Sequence, residues 1–307
     1  MDRKVELLIE ADHLLGESPM WDDRNQILYW TDIERGEIHF YNETTKELTH
    51  HVLGGKVTSI ALCESGNLLI TKKDTIILYN PVTGQEQCIV RTEFPDAIRF
   101  NDGKCDPSGR FYGDTMDMTG KEEAGSLFIL DSDGNFREAA TGFIIGNGLA
   151  WNEENTLLYL VDSPKKVVYQ FDYCAETGAV KNRKAAIQIP DNAGVPDGIC
   201  IDRKGMLWIA HYFGARITRW NPVSGELLET IPVPAGNVTS CCFGGSDMKS
   251  LYVTTSNMNL PDIPAADTYD GSIFRIKTDV RGYESVRFND GKFLCSEKLK
   301  APSDIQS

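Results

Sequence analysis

Short apolar and aromatic runs alternate with polar turns along the chain, and one such unit recurs six times. In each copy an apolar anchor is followed by a polar turn and a short strand-like run, as in WDDRNQILYW from Trp21. The anchors are Trp21, Leu62, Cys105, Trp151, Ile201 and Phe243. Their spacings of 41, 43, 46, 50 and 42 residues average about 44 residues, which indicates a repeat architecture.

Each copy is typical of a β-hairpin followed by further strands. The turns contain segments such as DPSG from residue 106, whose residue types favour turn geometry. The runs that follow are rich in Leu, Tyr, Trp, Ile and Val, as half-buried strands are. A third strand is predicted at residues 37–41, 75–79, 126–130, 167–171, 216–220 and 272–276. Four strands in about 44 residues, six times over, predict an all-β fold, a six-bladed β-propeller with a central channel.

The opening segment VELLI, residues 5–9, is strand-like but belongs to no complete copy. We expect it to pair with the last blade and close the ring, which would remove two exposed sheet edges. The domain is predicted to span residues 1–290. Residues 291–307 are expected to be a flexible tail or a cloning remnant, and the second RFNDGK segment, from Arg287, a chance repetition. The less favoured alternative is a pair of β-sandwiches, which would make the spacing a coincidence.

The repeat also predicts a site, because the first strand of each propeller blade lines the channel. Four residues before each anchor lies a polar residue that carries a side-chain oxygen: Glu17, Thr58, Asn101, Asn147, Asp197 and Thr239. A ring of oxygens suits a hard divalent cation, and Glu17 and Asp197 supply two negative charges. Asn147 adds an amide oxygen. The alternative is that Asn-Gly and Asp-Gly mark ordinary turns, but these dipeptides share one phase of the repeat.

Five segments at blade spacing resemble the gluconolactonase, senescence-marker-protein and regucalcin group of six-bladed propellers. They are GESPMW from residue 16, RFNDGK from 99 followed by DPSG, GNGLAW from 146, PDGICID from 196 and TSCCFGG from 239. The resemblance covers about residues 10–283. It implies lactone hydrolysis, in which Glu17, Asn147 and Asp197 hold one divalent cation (Ca²⁺, Zn²⁺, Mg²⁺ or Mn²⁺). It further implies that Asp197 acts as general base toward metal-activated water.

The same resemblance implies that Arg99 and Asn101 contact the hydroxyls of a sugar-type lactone. Asp117 is a further candidate to accept from substrate hydroxyls. The chain departs from some relatives here, since Thr119 stands where an acidic residue helps to hold substrate, so substrate preference is not carried over. The group also contains proteins discussed as calcium-regulatory. A non-catalytic calcium-binding propeller therefore stays open as the alternative, whereas a WD-repeat-type scaffold would not require acids in the channel.

Composition narrows the function classes further. The chain has 31 Lys+Arg and 45 Asp+Glu, a formal net charge of −14, which disfavours nucleic acid and anionic membrane surfaces as partners. No apolar run approaches the roughly 18 residues of a membrane span, and the charged start is unlike a secretion signal. The eight cysteines form no CxxC pair, which favours reduced, buried thiols. We expect a cytoplasmic monomer or weak dimer that acts on a small-molecule lactone.

Overall fold

The computed structural model describes residues 3–258 and 268–294, and it consists almost entirely of strands. The strands form six four-stranded antiparallel sheets, so the predicted six-bladed propeller is confirmed. The strands are β1 (Val5–Ile9), β2 (Gly16–Asp22), β3 (Ile27–Asp32), β4 (Glu37–Asn42), β5 (Leu48–Val52), β6 (Val57–Leu62), β7 (Leu68–Lys72), β8 (Thr75–Tyr79), β9 (Glu86–Arg91), β10 (Ile98–Cys105), β11 (Phe111–Asp117), β12 (Gly125–Leu130), β13 (Phe136–Phe143), β14 (Gly146–Trp151), β15 (Leu157–Asp162), β16 (Val167–Tyr173), β17 (Val180–Gln188), β18 (Val195–Ile201), β19 (Leu207–Tyr212), β20 (Arg216–Asn221), β21 (Glu226–Pro232), β22 (Asn237–Gly244), β23 (Ser250–Ser256) and β24 (Ile273–Lys277).

In the part of the chain that the structure describes, helical structure is confined to two short segments. One is a 3₁₀ turn at Asp191–Ala193, and the other is α1 (Gly291–Leu294). No helix in residues 3–258 and 268–294 has the length and apolar character needed to cross a membrane.

The blades are ordered consecutively around the ring. Blades one to five are β2–β5, β6–β9, β10–β13, β14–β17 and β18–β21, and blade six contains β22, β23, β24 and β1. The six first strands β2, β6, β10, β14, β18 and β22 contact one another in sequence, and β22 contacts β2 again. These first strands therefore enclose a shared channel, as the repeat predicted.

The N-terminal strand closes the ring. Strand β1 pairs antiparallel with β24, with Val5 opposite Ile276 and Leu7 opposite Phe274, so the last blade takes its outermost strand from the start of the chain. This confirms the prediction for residues 5–9. Between blade six and blade one, Trp21 stacks on Tyr252 with ring centroids 5.2 Å apart, and both side chains are fully buried. Backbone pairing and apolar packing thus join the two ends of the chain at one seam.

A C-terminal strap, residues 282–288, crosses one face of the ring. Gly282 bridges to Asp202 in blade five, and Phe288 bridges to Cys63 in blade two. Arg287 forms ion pairs with Asp22 (2.7 Å) and Asp23 (3.2 Å) in blade one.

Arg287 and Phe288 are buried and attach the strap to blades one and two, so this segment is an ordered part of the domain, whereas its repetition of residues 99–104 as a matter of chance stays a prediction. Of the expected tail, Gly291–Leu294 forms one helical turn, and Phe293 in it packs on Phe288 with centroids 5.8 Å apart. Residues 295–307, and the rest of that expectation, lie outside the described residues.

The seven cysteines in the described part of the chain are all free. Cys63, Cys105, Cys200 and Cys241 are buried and Cys242 is half-buried, as expected for structural thiols. The expectation of burial is wrong for Cys88 and Cys174, which are exposed. Cys88 lies on the outermost strand β9 and Cys174 follows β16 directly, so both lie away from the packed inner strands.

Replacement of Arg287 tests how much the strap contributes to the stability of the fold. Arg287 and Asp22 are each 5% exposed as side chains, so Arg287→Met would leave a buried carboxylate without its main cation. We expect a loss of about 3–5 kcal/mol in the free energy of unfolding, measured by urea denaturation. Arg24→Met, in the exposed pair with Glu64, is the matched control and should cost less than about 1 kcal/mol. Equal losses in the two variants would contradict a supporting role for the strap.

Candidate active site

Every first strand is interrupted by a β-bulge at or beside its ring residue. The antiparallel register shifts between Glu17 and Met20 in β2, between Asn147 and Leu149 in β14, and between Pro196 and Ile199 in β18. The equivalent shifts in β6, β10 and β22 span Thr58, Asn101 and Thr239. A bulge leaves a residue out of the ladder and re-aims its side chain. All six predicted ring positions therefore lie on or within bulges of the channel strands.

Small residues beside the ring allow the bulged strands to approach one another. A Cβ on Gly148 would lie 2.5 Å from the backbone nitrogen of Ile199, and one on Gly198 would lie 2.0 Å from Oγ of Ser240. The Asn147–Gly148 and Asp197–Gly198 pairs lie inside β14 and β18, and not in hairpin turns. Beside Glu17, Ser18 adopts a φ of 50°, a left-handed conformation that non-glycine residues seldom take.

Hydrogen bonds from the ring residues run from blade to blade. Asn147 Nδ2 donates to Asp197 Oδ1, and the Asn147 oxygen accepts from the backbone of Gly148 at 2.9 Å. Glu17 accepts from the Ser18 backbone at 2.7 Å, and its carboxylate and that of Asp197 are close enough to repel each other. Glu17, Asn147 and Asp197 are each at most 9% exposed. The structure therefore brings the three predicted metal ligands into one buried neighbourhood.

Two further carboxylates join this neighbourhood. Asp114 Oδ1 accepts the backbone N–H of Asp102 at 2.9 Å, and Asp102 Oδ1 accepts that of Gly103 at 2.7 Å. Asp114 Oδ2 is buried without a hydrogen-bond partner in the described part of the chain. The site thus contains four buried acids: Glu17, Asp102, Asp114 and Asp197.

Burial and mutual repulsion raise the pKa values of these acids. Burial raises the pKa of Glu17 well above its usual value, and the charges of Asp197 and Asp102 raise it further. Burial likewise raises the pKa of Asp197, against the Asn147 hydrogen bond that lowers it. The pKa of Asp114 is raised well above its usual value by burial and by Asp102. Negative charge here is costly without a compensating cation.

The cations present do not balance this charge. The charge of Arg99 acts to lower the pKa values of Glu17, Asp114 and Asp197, and that of Lys104 acts to lower the pKa of Asp102, but burial prevails at all four acids. Arg99 is 6% exposed and forms no ion pair among the described residues, and burial lowers the pKa of its guanidinium. One of its nitrogens, Nη1, donates to the Phe100 carbonyl and to Asn101 Oδ1, both at 2.8 Å. Asn101 Nδ2 in turn donates to the Gly146 carbonyl at 2.8 Å, so the two predicted substrate residues are held together.

Asp117 is placed differently from the other predicted residues. It lies at the end of β11, and its carboxylate accepts hydrogen bonds from the backbone of Thr119, Lys121 and Glu122 and from the Thr119 hydroxyl. These bonds, led by that of Thr119, lower the pKa of Asp117 strongly. Its oxygens therefore organise the following turn, and its predicted contact with substrate stays a prediction.

The residues fit a divalent cation in charge and in donor type. Carboxylate and amide oxygens are the ligands that hard cations accept, and the carboxylates of Glu17 and Asp197 would together match the charge of one dication. Among residues 3–258 and 268–294 no three acidic, histidine or cysteine side chains form a metal-binding set. The predicted site instead combines two carboxylates with the Asn147 amide. Rotation of that amide about χ2 would place its oxygen beside Asp197, where its NH₂ now lies.

Comparisons with known proteins identify the family. Residues 15–257 match the family model described as SMP-30/Gluconolactonase/LRE-like region. A protein of Bacillus subtilis (strain 168) with the name "Putative sugar lactone lactonase YvrE" is 33% identical over 288 residues, which cover 92% of this chain and 99% of that protein. Regucalcin of Oryctolagus cuniculus is 34% identical over 283 residues, 89% of this chain and 94% of regucalcin.

A solved structure of a luciferin-regenerating enzyme superposes with a TM-score of 0.88 at 29% identity, covering 94% of this chain and 99% of that one. The chain belongs to the SMP-30/gluconolactonase/LRE-like family. The resemblance found in the sequence motifs is confirmed.

The predicted cation site is testable without any substrate. After EDTA treatment, added CaCl₂ or ZnCl₂ should raise the thermal unfolding midpoint, because a ligand at 100 times its Kd stabilises the folded state by about 2.7 kcal/mol. Glu17→Gln and Asp197→Asn should each abolish this rise, measured by differential scanning fluorimetry. Thr239→Ser changes an equivalent ring position and keeps its hydroxyl, so it should retain the rise. A rise of the same size in Asp197→Asn would contradict the site.

Proposed function

We propose that this protein hydrolyses small, hydroxyl-rich lactones with the help of one divalent cation. The observation that carries the proposal is the buried neighbourhood of Glu17, Asn147 and Asp197, in which two carboxylates repel each other, beside Arg99, which forms no ion pair within residues 3–258 and 268–294. The names of relatives, which include a sugar lactone lactonase and regucalcin, support the same reaction and the need for a cation. The proposal does not name a particular lactone, because the carboxylate of Asp117 organises a turn and Thr119 stands where some relatives carry an acidic residue.

Opening a lactone requires that water attack the ring carbonyl and that the ring C–O bond break. A cation bound by Glu17, Asn147 and Asp197 would supply Lewis acidity and lower the pKa of water. Asp197 has two carboxylate oxygens, so one would contact the cation while the other takes the proton from the attacking water. The proton then passes to the ring oxygen as it leaves as a hydroxyl group. Asp197 therefore serves as general base and afterwards as acid.

Arg99 and Asn101 are suited to orient the substrate. The guanidinium of Arg99 has five N–H donors, of which those on Nη1 bond to the protein. Its other donors can bind the hydroxyls or the carbonyl of a lactone. Because Asn101 is fixed between Arg99 and the Gly146 carbonyl, Arg99 is held in a defined orientation.

Turnover of a lactone tests the proposal directly. Protein treated with EDTA is assayed with D-glucono-1,5-lactone by acid release, corrected for spontaneous hydrolysis, before and after Ca²⁺, Zn²⁺, Mg²⁺ or Mn²⁺ is returned. We expect activity to require a cation and kcat to fall about 10²–10⁴-fold in Asp197→Asn. Thr239→Ser should keep its activity. A cation that binds tightly without turnover of any lactone in a panel would contradict the proposal and favour a calcium-binding regulator.

Arg99 offers a second, independent test. Replacement by Met removes the charged hydrogen bonds to substrate, each of which is worth about 1.5–3 kcal/mol, so kcat/KM should fall about 10- to 100-fold. The cation-induced rise of the thermal midpoint should persist, because Arg99 is not a predicted ligand. Arg24→Met, on an exposed residue, is the matched control and should leave kcat/KM unchanged. An unchanged kcat/KM in Arg99→Met would contradict a role in substrate binding.

A further inference from the structure

A cavity, called here the lower cavity, lies at the end of the channel strands opposite to the acids. It has a volume of about 430 Å³, within the range of about 300–1,000 Å³ that is typical of small-molecule sites. Its walls come from the first strands of blades one, three, four, five and six and from the C-terminal strap. Trp151, Ile201 and Phe243, which line it, follow the ring residues by four positions, or about 13 Å along a strand.

The strap forms the outer wall of this lower cavity. Tyr283, Glu284, Ser285 and Val286 all line it. On one side of these residues Gly282 bridges to Asp202, and on the other Arg287 is held by Asp22. Ser285 Oγ also donates to the Trp21 carbonyl at 2.8 Å. The wall is thus attached to the ring at both ends, and the cavity is an ordered part of the fold.

One charge lies in the interior of an otherwise largely apolar lining. Lys104 Nζ donates to the carbonyls of Leu149 and Ile199, both at 2.9 Å. An ammonium group has three donors, so one is left over. Lys104 forms no ion pair with a carboxylate in the described ranges 3–258 and 268–294. The carboxylate of Asp102, two residues earlier in the strand, interacts with it only at longer range.

The lining also includes an indole group and two carboxylates. Trp151 is 7% exposed, and its indole N–H is buried without a partner among the described residues. Of the two acids in the lining, Glu284 is engaged by Arg203 at 2.8 Å and Glu153 is exposed to solvent. Among these groups the ammonium of Lys104 is the one with a donor to spare, and a ligand would have to supply the acceptor.

We propose that this lower cavity is a second ligand site, and that it binds an apolar carboxylate. The carboxylate pairs with the remaining donor of Lys104, and the apolar part of the ligand packs on Met20, Trp151 and Phe243. An ion pair in such surroundings is screened little by water, so the charge of the ligand contributes strongly to recognition. This site is separate from the proposed lactone site, since the two occupy opposite ends of the channel strands.

Octanoate and 1-octanol, which share a chain length and differ in charge, are the probes. Isothermal titration calorimetry on the intact protein should show octanoate binding at least about tenfold more tightly than 1-octanol. Lys104→Met keeps the apolar stem and removes the charge, so it should abolish this preference. Equal affinities for the two probes, or an undiminished preference in Lys104→Met, would overturn the proposal.

Two further variants locate the bound octanoate and guard against misfolding. Val286→Trp, on the strap, should weaken the binding of both probes by filling the cavity, with an unchanged thermal midpoint because residue 286 is exposed. Arg99→Met removes the guanidinium group near the four acids, at the other end of the channel strands, and should leave octanoate binding unchanged. Loss of octanoate binding in Arg99→Met, or its full retention in Val286→Trp, would place octanoate elsewhere and overturn the proposal even if Lys104→Met proved unstable.

Discussion

Antiparallel pairing between the first and the last strand is the constraint on which the channel depends. Only a closed ring turns six first strands toward one axis, and closure is provided by β1 on β24. Blade six, which this pairing completes, also contacts blade one beside the site, since Thr239 donates to the carbonyl of Gly16, next to Glu17, at 2.6 Å. Opening of the seam would therefore disturb the position of Glu17 as well as the packing of the blades.

The site contains several locally unfavourable features, which the stability of the whole fold offsets. Four carboxylates are buried together, Gly148 and Gly198 allow close strand approach, and Ser18 holds a left-handed backbone angle. Each feature is unfavourable by itself, and departures of this kind tend to concentrate where proteins carry out chemistry. The surrounding blades, with interleaved aromatic residues such as Trp21 and Tyr252, supply the rigidity that keeps these groups in place.

The repeat period predicted the fold and the ring positions because residues at the same place in each repeat occupy equivalent positions in successive blades. That is why Glu17, Asn147 and Asp197, far apart in the chain, were predicted to converge. Asp114 was missed because it lies on a second strand, although the GDTM segment carries an acid in an otherwise small or apolar run. The strap was missed because it has no period, and its attachment depends on tertiary ion pairs. The hydrogen bonds of Asp117 were also not predicted, because the sequence does not distinguish an aspartate that organises a turn from one that binds substrate.

The arrangement of the seam also has a consequence for biosynthesis. The residues of β1 leave the ribosome well before their partner β24, which is made more than two hundred and fifty residues later. At about 5–20 residues per second, that delay is on the order of tens of seconds. Throughout this interval the nascent chain carries an unsatisfied strand, a form of structure prone to pairing with other chains. Its brevity, five residues, and the charges of Arg3, Lys4 and Glu6 limit that hazard until the final blade emerges.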